Sequence, residues 1–316
     1  MERDYDAKTR MKGGFPQLHK RGIISPCGET TPFVWTFDGR ETLMREELYD
    51  PTRGTDPAVP AVCQIRNAET GEILSRFGED CYYYSFYQEN GTAYVLATVK
   101  KDGAYSGDEI RVYESRDLLH WESRTLLKNP GWAYFNTSLT KGPDGYVLLM
   151  EAGKPREHVG AHPFTLFFAF SRDMLHWEHL SPEYGFSKER YMGGPWMKWS
   201  RGWYYVISVT ELPCRRYTNY VYRTKDFRDW EVGFYNPMLM PSEEDRTVAP
   251  NAVDITDEMR EDIRTGFISS NSDIDMCDYR GKTVITYGVG NQLGYYYYAE
   301  AEYDGSVDEL LSSYFI

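Results

Sequence analysis

The chain has 316 residues, enough for a large core in one or two domains, and its 41% hydrophobic and 26% charged content is ordinary for a soluble globular protein. A formal net charge of -13 repels phosphate backbones and excludes nucleic acid as an expected partner. No run approaches eighteen apolar residues, so no span or membrane partner is predicted.

The start, "MERDYDAKTRMKGG", is polar and lacks an apolar signal core. The expectation is a cytoplasmic protein, or a periplasmic or secreted one if a leader has been removed. Residues 1–27 are expected to help close the fold described below. Aromatic content is 16%, with 27 Tyr and 8 Trp. Strand preference accounts for most of these residues, and a few serve as platforms for a ligand. The five cysteines, Cys27, Cys63, Cys81, Cys214 and Cys277, are irregularly spaced without a Cys-x-x-Cys, which disfavours a disulfide framework or a zinc site.

Five hairpins follow in chain order: "TPFVWTFDGRETLM", "YYYSFYQENGTAYVLATV", "NTSLTKGPDGYVLLME", "GGPWMKWSRGWYYVISV" and "SDIDMCDYRGKTVITYG". Their turn glycines are Gly39, Gly91, Gly145, Gly202 and Gly281, at intervals of 52, 54, 57 and 79. Asp-Gly and Asn-Gly between apolar strands accept the positive φ of a tight turn. The long last interval holds "PSEEDRTVAPNAVDITDEMREDIRTG", read as a loop with a short helix. A second pattern follows three of the hairpins: "SRDLLHWE" at 115–122, "SRDMLHWE" at 171–178 and "TKDFRDWE" at 224–231. Ser/Thr and Asp at this spacing cap a tight turn, so Asp117, Asp173 and Asp226 are expected between outer strands, and Trp121, Trp177 and Trp230 are expected to be mostly buried. "CQIRNAETGEILSRF" supplies the outer hairpin of the first unit instead, and "SVDELLSSYF" reads as a terminal helix.

Self-similarity near fifty residues, with two hairpins per unit, predicts an all-β chain: one five-bladed β-propeller domain, 1–316, of four-stranded antiparallel blades. Inner strands are expected near 31–36, 82–87, 136–140, 194–199 and 272–277. A two-sheet lectin-like sandwich is the competing architecture, but it has no need of repeated blade corners.

The three octets, with "GPWMKWSRGWYYVISV" and "TPFVWTFDGRETLM", resemble the five-bladed propeller glycosidases, the arabinanase, xylosidase and invertase superfamily, and within it glycoside hydrolase family 43. The likeness runs over roughly 28–303. It implies a general-base Asp on the inner strand of blade one, a second Asp on blade two that tunes it, and a general-acid Glu on blade three. This sequence departs from that triad. Glu29 or Thr31 stands at the first place, Tyr82 and Tyr83 at the second, and Asn136 and Thr137 at the third.

Glycoside hydrolysis needs one carboxylic acid to protonate the leaving oxygen and a second carboxylate to activate water or attack carbon. Candidates are the acids at inner strand ends: Glu29 in "CGETTPF", Glu151 after the apolar "YVLLM", Glu211 in "VISVTELPCRR" as the blade-four counterpart of Glu151, and Asp273, paired with Asp275 at i and i+2 on one strand face. His158 and His162, Asn136 and Asn291 are candidate hydroxyl binders, and Tyr82, Tyr83, Trp132, Trp196 and Trp35 are candidate stacking platforms. The expected activity is a glycosidase working by paired carboxylates, exo-acting and inverting, on an oligosaccharide or glycoside. The alternatives are a non-catalytic carbohydrate-binding propeller, or a phosphorylase or transferase using Arg215 and Arg216 on phosphate. No cofactor or metal site is expected, and a structural cation in the central channel is left open.

Overall fold

Each turn glycine closes the inner hairpin of a blade. In a computed structural model that describes residues 16–291 and 293–315, the pairs are β2 (Thr30–Phe37) with β3 (Arg40–Tyr49), β6 (Cys81–Glu89) with β7 (Thr92–Val99), β10 (Ala133–Lys141) with β11 (Tyr146–Lys154), β14 (Met192–Ser200) with β15 (Trp203–Leu212), and β18 (Ser270–Tyr279) with β19 (Lys282–Gly290). In four of these turns both central residues have positive φ, as at Asp38 (47°) and Gly39 (78°). This is the two-residue turn whose twist matches the strands it joins. Blade three turns more widely, from Lys141 to Tyr146.

Outer strands complete the blades: β4 (Val62–Asn67) and β5 (Ile73–Phe77), β8 (Glu109–Ser115) and β9 (Glu122–Lys128), β12 (Thr165–Ser171) and β13 (Glu178–His179), β16 (Arg216–Thr224) and β17 (Trp230–Val232). In blade five, β20 (Tyr296–Tyr303) is followed outward by β1 (His19–Ser25), so the order is β18-β19-β20-β1. Five four-stranded antiparallel sheets result, and the inner strands pack on one another around a central axis. The first fifteen residues of the N-terminal segment lie outside the described residues.

The core lies between blades. Phe33, Ile65, Tyr84 and Val95 fill the joint of blades one and two. Ile207, Val221, Ile285 and Tyr297 fill that of blades four and five, where the helices α1 (Asp257–Thr265) and α2 (Val307–Ser313) add Ile263, Leu310 and Leu311. The joint of blades five and one is smaller and more polar. Its apolar cluster consists, among the described residues, of buried Leu43, Ala68 and Val284 with half-buried neighbours, beside an Arg45–Glu300 ion pair at 3.0 Å.

The octets form the turns between third and fourth strands. Ser115 Oγ accepts from Leu118 N at 2.9 Å, and Asp117 Oδ1 accepts from the amides of Leu119 and His120, both at 2.9 Å. Asp173 and Asp226 repeat the pattern. One expectation is corrected: Trp121, Trp177 and Trp230 are half-buried, not mostly buried. The plug is the residue after the aspartate. Leu118, Met174 and Phe227 have φ of 64, 62 and 61°, which turns their side chains inward, and Leu118 is 0% and Met174 5% exposed. The tryptophans lie over this plug as a lid, with Trp121 and Trp177 donating their indole N–H to the Leu118 and Met174 carbonyls.

Candidate active site

Four of the five inner strands break register at the same level. Two residues oppose one on the neighbouring strand: Tyr83 and Tyr84 face Ala97, Phe135 and Asn136 face Glu151, Gly194 and Pro195 face Ser208, and Asp273 and Ile274 face Tyr287. Such β-bulges re-aim a side chain locally. Tyr83, Gly194 and Asp273, the first bulge residue in blades two, four and five, share a left-handed backbone, with φ of 56, 47 and 46°. Blade one pairs regularly, Thr31 opposite Glu46.

The bulges surround the mouth of the axis, where a cleft of about 400 Å³ is lined by Glu29, Asp50, Arg53, Tyr82, Tyr191, Asp273 and Tyr296, among others. Asp50 caps its own loop through the amides of Thr52 and Gly54 and accepts from Tyr82 Oη at 2.9 Å. Arg53 donates to the Tyr296 carbonyl and lies 4.6 Å from the Tyr297 ring centre.

Glu151 is 3% exposed, and one of its oxygens accepts from Gly194 N at 2.9 Å and from Asn136 Nδ2 at 3.1 Å. Burial pushes its carboxyl up to about 8, against the pull of these two donors. Asp273 is half-buried and raised by burial, with the Ser272 hydroxyl opposing the shift. Its Oδ1 occupies the place of a Cβ on Gly194, 1.9 Å from where that atom would stand. Glu151 and Asp273 thus touch one glycine from two sides, which bounds the gap between their nearest oxygens at about 8 Å. Glu29 is raised well above the ordinary carboxylate range, first by burial and then by the charges of Asp273, Glu151, Asp275 and Glu46, and its Oε2 is buried without a hydrogen-bond partner.

Several expectations need correction. Asp273 and Asp275 do not share one flat strand face, because the bulge intervenes. Asp273 lines the cleft, while Asp275, pushed up to about 8 chiefly by burial, meets the Thr31 hydroxyl inside the channel. Glu211 is not the counterpart of Glu151. Counting six residues from the turn glycines Gly145 and Gly202 reaches Glu151 and Ser208, and Glu211 lies three residues further on, half-buried opposite Tyr217. Trp132 packs on Tyr134, Phe167 and His179 in blade three, with His158 beside it, so both stand apart from the acids. Trp196 is 8% exposed and lines the opposite end of the axis with Phe33, Phe86 and Met276. Trp35, also 8% exposed, belongs to the joint of blades one and two. Asn291 spends its carboxamide oxygen on the amides of Leu293 and Tyr295, shaping the loop at the cleft rim. His162 lies half-buried on the 155–164 loop, whose Phe164 packs on Phe135 and Tyr191. Arg215 and Arg216 are exposed, at the hairpin between β15 and β16.

The candidates brought together are therefore Glu29, Glu151, Asp273 and Asp275, with Asn136, Tyr82 and Tyr83. Sequence reasoning missed Glu46, Gly194 and Tyr191. Glu46 is fully buried in β3, raised well above the usual range by burial and Asp275. Tyr191 lines the cleft with its hydroxyl against Gly193, beside the Glu151 carboxyl. A signal existed for Gly194: Thr31, Tyr83, Gly194 and Asp273 each stand eight residues before a turn glycine. Among the described residues no group of three or more His, Cys, Asp or Glu side chains could hold a metal ion, and no helix is long and apolar enough to cross a membrane.

No protein-family model matches this chain, and no curated protein matches it in sequence. Solved structures do match it in fold. One is a glycoside hydrolase, 13% identical, covering 94% of this chain and 95% of that one, with a TM-score of 0.62. Another is the catalytic domain of a Coprinopsis cinerea GH62 α-L-arabinofuranosidase, 9% identical, covering 93% and 98%, at 0.58. A third is a GH43 β-xylosidase/α-arabinofuranosidase from a compost microbial metagenome, in complex with xylotriose and calcium-free, 12% identical, covering 91% and 94%, at 0.53. At such identities the likeness is one of fold. The chain is a five-bladed β-propeller of the architecture seen in these glycoside hydrolases.

Proposed function

We propose that the protein is a glycoside hydrolase that removes a terminal sugar from an oligosaccharide with inversion. The observation that carries this reading is the pair Glu151 and Asp273, held against one glycine at the mouth of a propeller whose structural neighbours are glycoside hydrolases. Glu151, protonated at neutral pH by its burial, is the acid. Through Asn136 its carboxyl is tied to the position where the resembled family carries its acid. Of the two acids that line the cleft, Asp273 stands against the same glycine that binds Glu151, so it is assigned the base.

In the reaction the Glu151 proton passes to the glycosidic oxygen as its bond to the anomeric carbon breaks. Asp273 takes a proton from the water that forms the new carbon–oxygen bond on the opposite face. The bound of about 8 Å admits both the roughly 6.5–9.5 Å spacing of inversion and the roughly 5–5.5 Å of retention, so the first-formed anomer decides between them. A cleft of about 400 Å³, walled by Tyr82, Tyr191 and Tyr296, suits a chain end better than a chain interior. Tyr191 lines the cleft with its hydroxyl beside the Glu151 carboxyl, next to the acid.

The test is a screen of aryl glycosides and plant and algal oligosaccharides with and without phosphate, followed by NMR of the first-formed anomer. Turnover without phosphate and an inverted anomer support the reading. Binding without turnover points to a carbohydrate-binding propeller, and phosphate-dependent cleavage to a phosphorylase.

A further inference from the structure

Gly194 has a backbone conformation that does not itself demand glycine. Tyr83 and Asp273 occupy the same bulge position in their own blades with nearly the same φ, 56 and 46° against 47°, and both carry side chains. What sets position 194 apart is the space beside it. A Cβ there would stand 1.9 Å from Asp273 Oδ1, 2.9 Å from Asp273 Cγ and 3.1 Å from a Val209 methyl. The first two separations are closer than any real Cβ contact, so a side chain at 194 requires the Asp273 carboxyl to move from its place. On its other side the same residue donates its amide to Glu151 at 2.9 Å.

We infer that Gly194 is the spacer that sets the distance and orientation of the two reacting carboxyls: its bare Cα admits Asp273, and its N–H fixes Glu151. This rests on the proposed assignment of Glu151 and Asp273. Three features meet in one residue. The bulge turns the Gly194 amide away from the ladder toward β11, the missing side chain makes room for a carboxyl from blade five, and blade four contributes no acid of its own at this level. Blade four acts as the separator between acids from blades three and five. A side chain at 194 would push Asp273 outward, and the misplacement would fall on the base without touching substrate directly. A shift of about 1 Å in a reacting group costs a rate factor on the order of a hundred.

The experiment is a thermal-stability cycle with Gly194→Ala, Asp273→Ala and the double variant, using Gly202→Ala as the control for alanine at positive φ. Gly202 has φ 83° and nothing within 4 Å of its Cβ position, so that control carries the backbone cost alone. The expected result is that Gly194→Ala lowers Tm more than Gly202→Ala does while Asp273 is present, and that the excess disappears in the Asp273→Ala background. This readout needs no substrate, so it stands even if the glycosidase reading falls. On a confirmed substrate, Gly194→Ala should lower kcat about a hundredfold with KM little changed, and the alkaline limb of its pH profile should move upward, because the amide that favours ionised Glu151 is disturbed. Additive Tm losses, with kcat and the alkaline limb as in the wild type, would overturn the inference. If the single variant does not fold, recovery of folding in the double variant supports it, and failure of both to fold while Asp273→Ala folds counts against it.

Discussion

Glu151 lies within the apolar strand β11 with its carboxyl held by two donors and, among the described residues, no cation, and that environment makes its chemistry and its stability cost one property. Its carboxyl and that of Asp275 are raised to about 8 by burial, from an ordinary value near 4. The folded chain therefore binds more protons than the unfolded chain between about pH 4 and pH 8, and stability falls as pH rises through that window. Melting curves should show a higher Tm at pH 5 than at pH 8, with a shallower slope in Asp275→Asn; a Tm that rises over this range would count against protonated acids in the channel. Glu151→Gln keeps the shape and loses the transferable proton, so turnover on a confirmed substrate should fall by orders of magnitude with Tm nearly unchanged at pH 6, and full activity would remove Glu151 from the mechanism. At this scale the sequence pointed to Glu151, Asp273 and Glu29 as acids costly to bury, and the structure brings the three together, although Glu151 lies inside the second strand of its blade and Asp273 inside β18 rather than at inner strand ends. It misled at Glu211, where a similar neighbourhood, "VISVTEL" against "YVLLMEA", hid a three-residue offset from the turn. At Gly194 the sequence offered only its place eight residues before a turn glycine, since a glycine made necessary by a carboxyl from another blade has no local signature.

At the scale of elements, hairpins were legible because each turn carries a glycine at positive φ, preceded by Asp, Asn or Arg, between apolar strands. The octets were legible as turns because Ser/Thr and Asp spend their oxygens on the next amides. Their division of labour was not. Tryptophan is the largest residue in the motif, but the left-handed residue after the aspartate is the one driven into the joint. Leu118→Ala should cost about 2–5 kcal/mol in chemical denaturation and leave any activity unchanged per folded molecule. A loss below about 1 kcal/mol would show the tryptophan lid to be the true anchor. The bulges escaped detection because a bulge inserts one residue into a strand whose alternation continues on either side, and only the partner strand reveals it.

At the scale of the whole molecule, the five equivalent blades follow from the repeat, and the ring is completed by β1 on β20. A buried network holds this strand. Lys20 Nζ donates to Asp245 Oδ2 at 2.6 Å, Met240 O at 2.7 Å, and Ser242 Oγ and Asn271 Oδ1 at 3.1 Å. Asp245 is 0% exposed and also accepts from Tyr287 Oη at 2.8 Å, so the insertion after blade four acts as the socket for the closing strand. Lys20→Met strands that carboxylate and should cost about 3–5 kcal/mol, with faster amide exchange in β1 and β20 before the other blades; unchanged exchange there would show that the strand is held by its ladder alone. The pairing of β1 with β20 has a temporal consequence as well. On the ribosome β1 emerges before any blade exists, and its partner arrives only after four blades have been made. Through most of synthesis the chain carries an unpaired strand at one end and, late on, an unpaired sheet edge at the other. The two edges could join between neighbouring nascent chains as readily as within one, so a polysome crowded with this message is where exchanged dimers would arise.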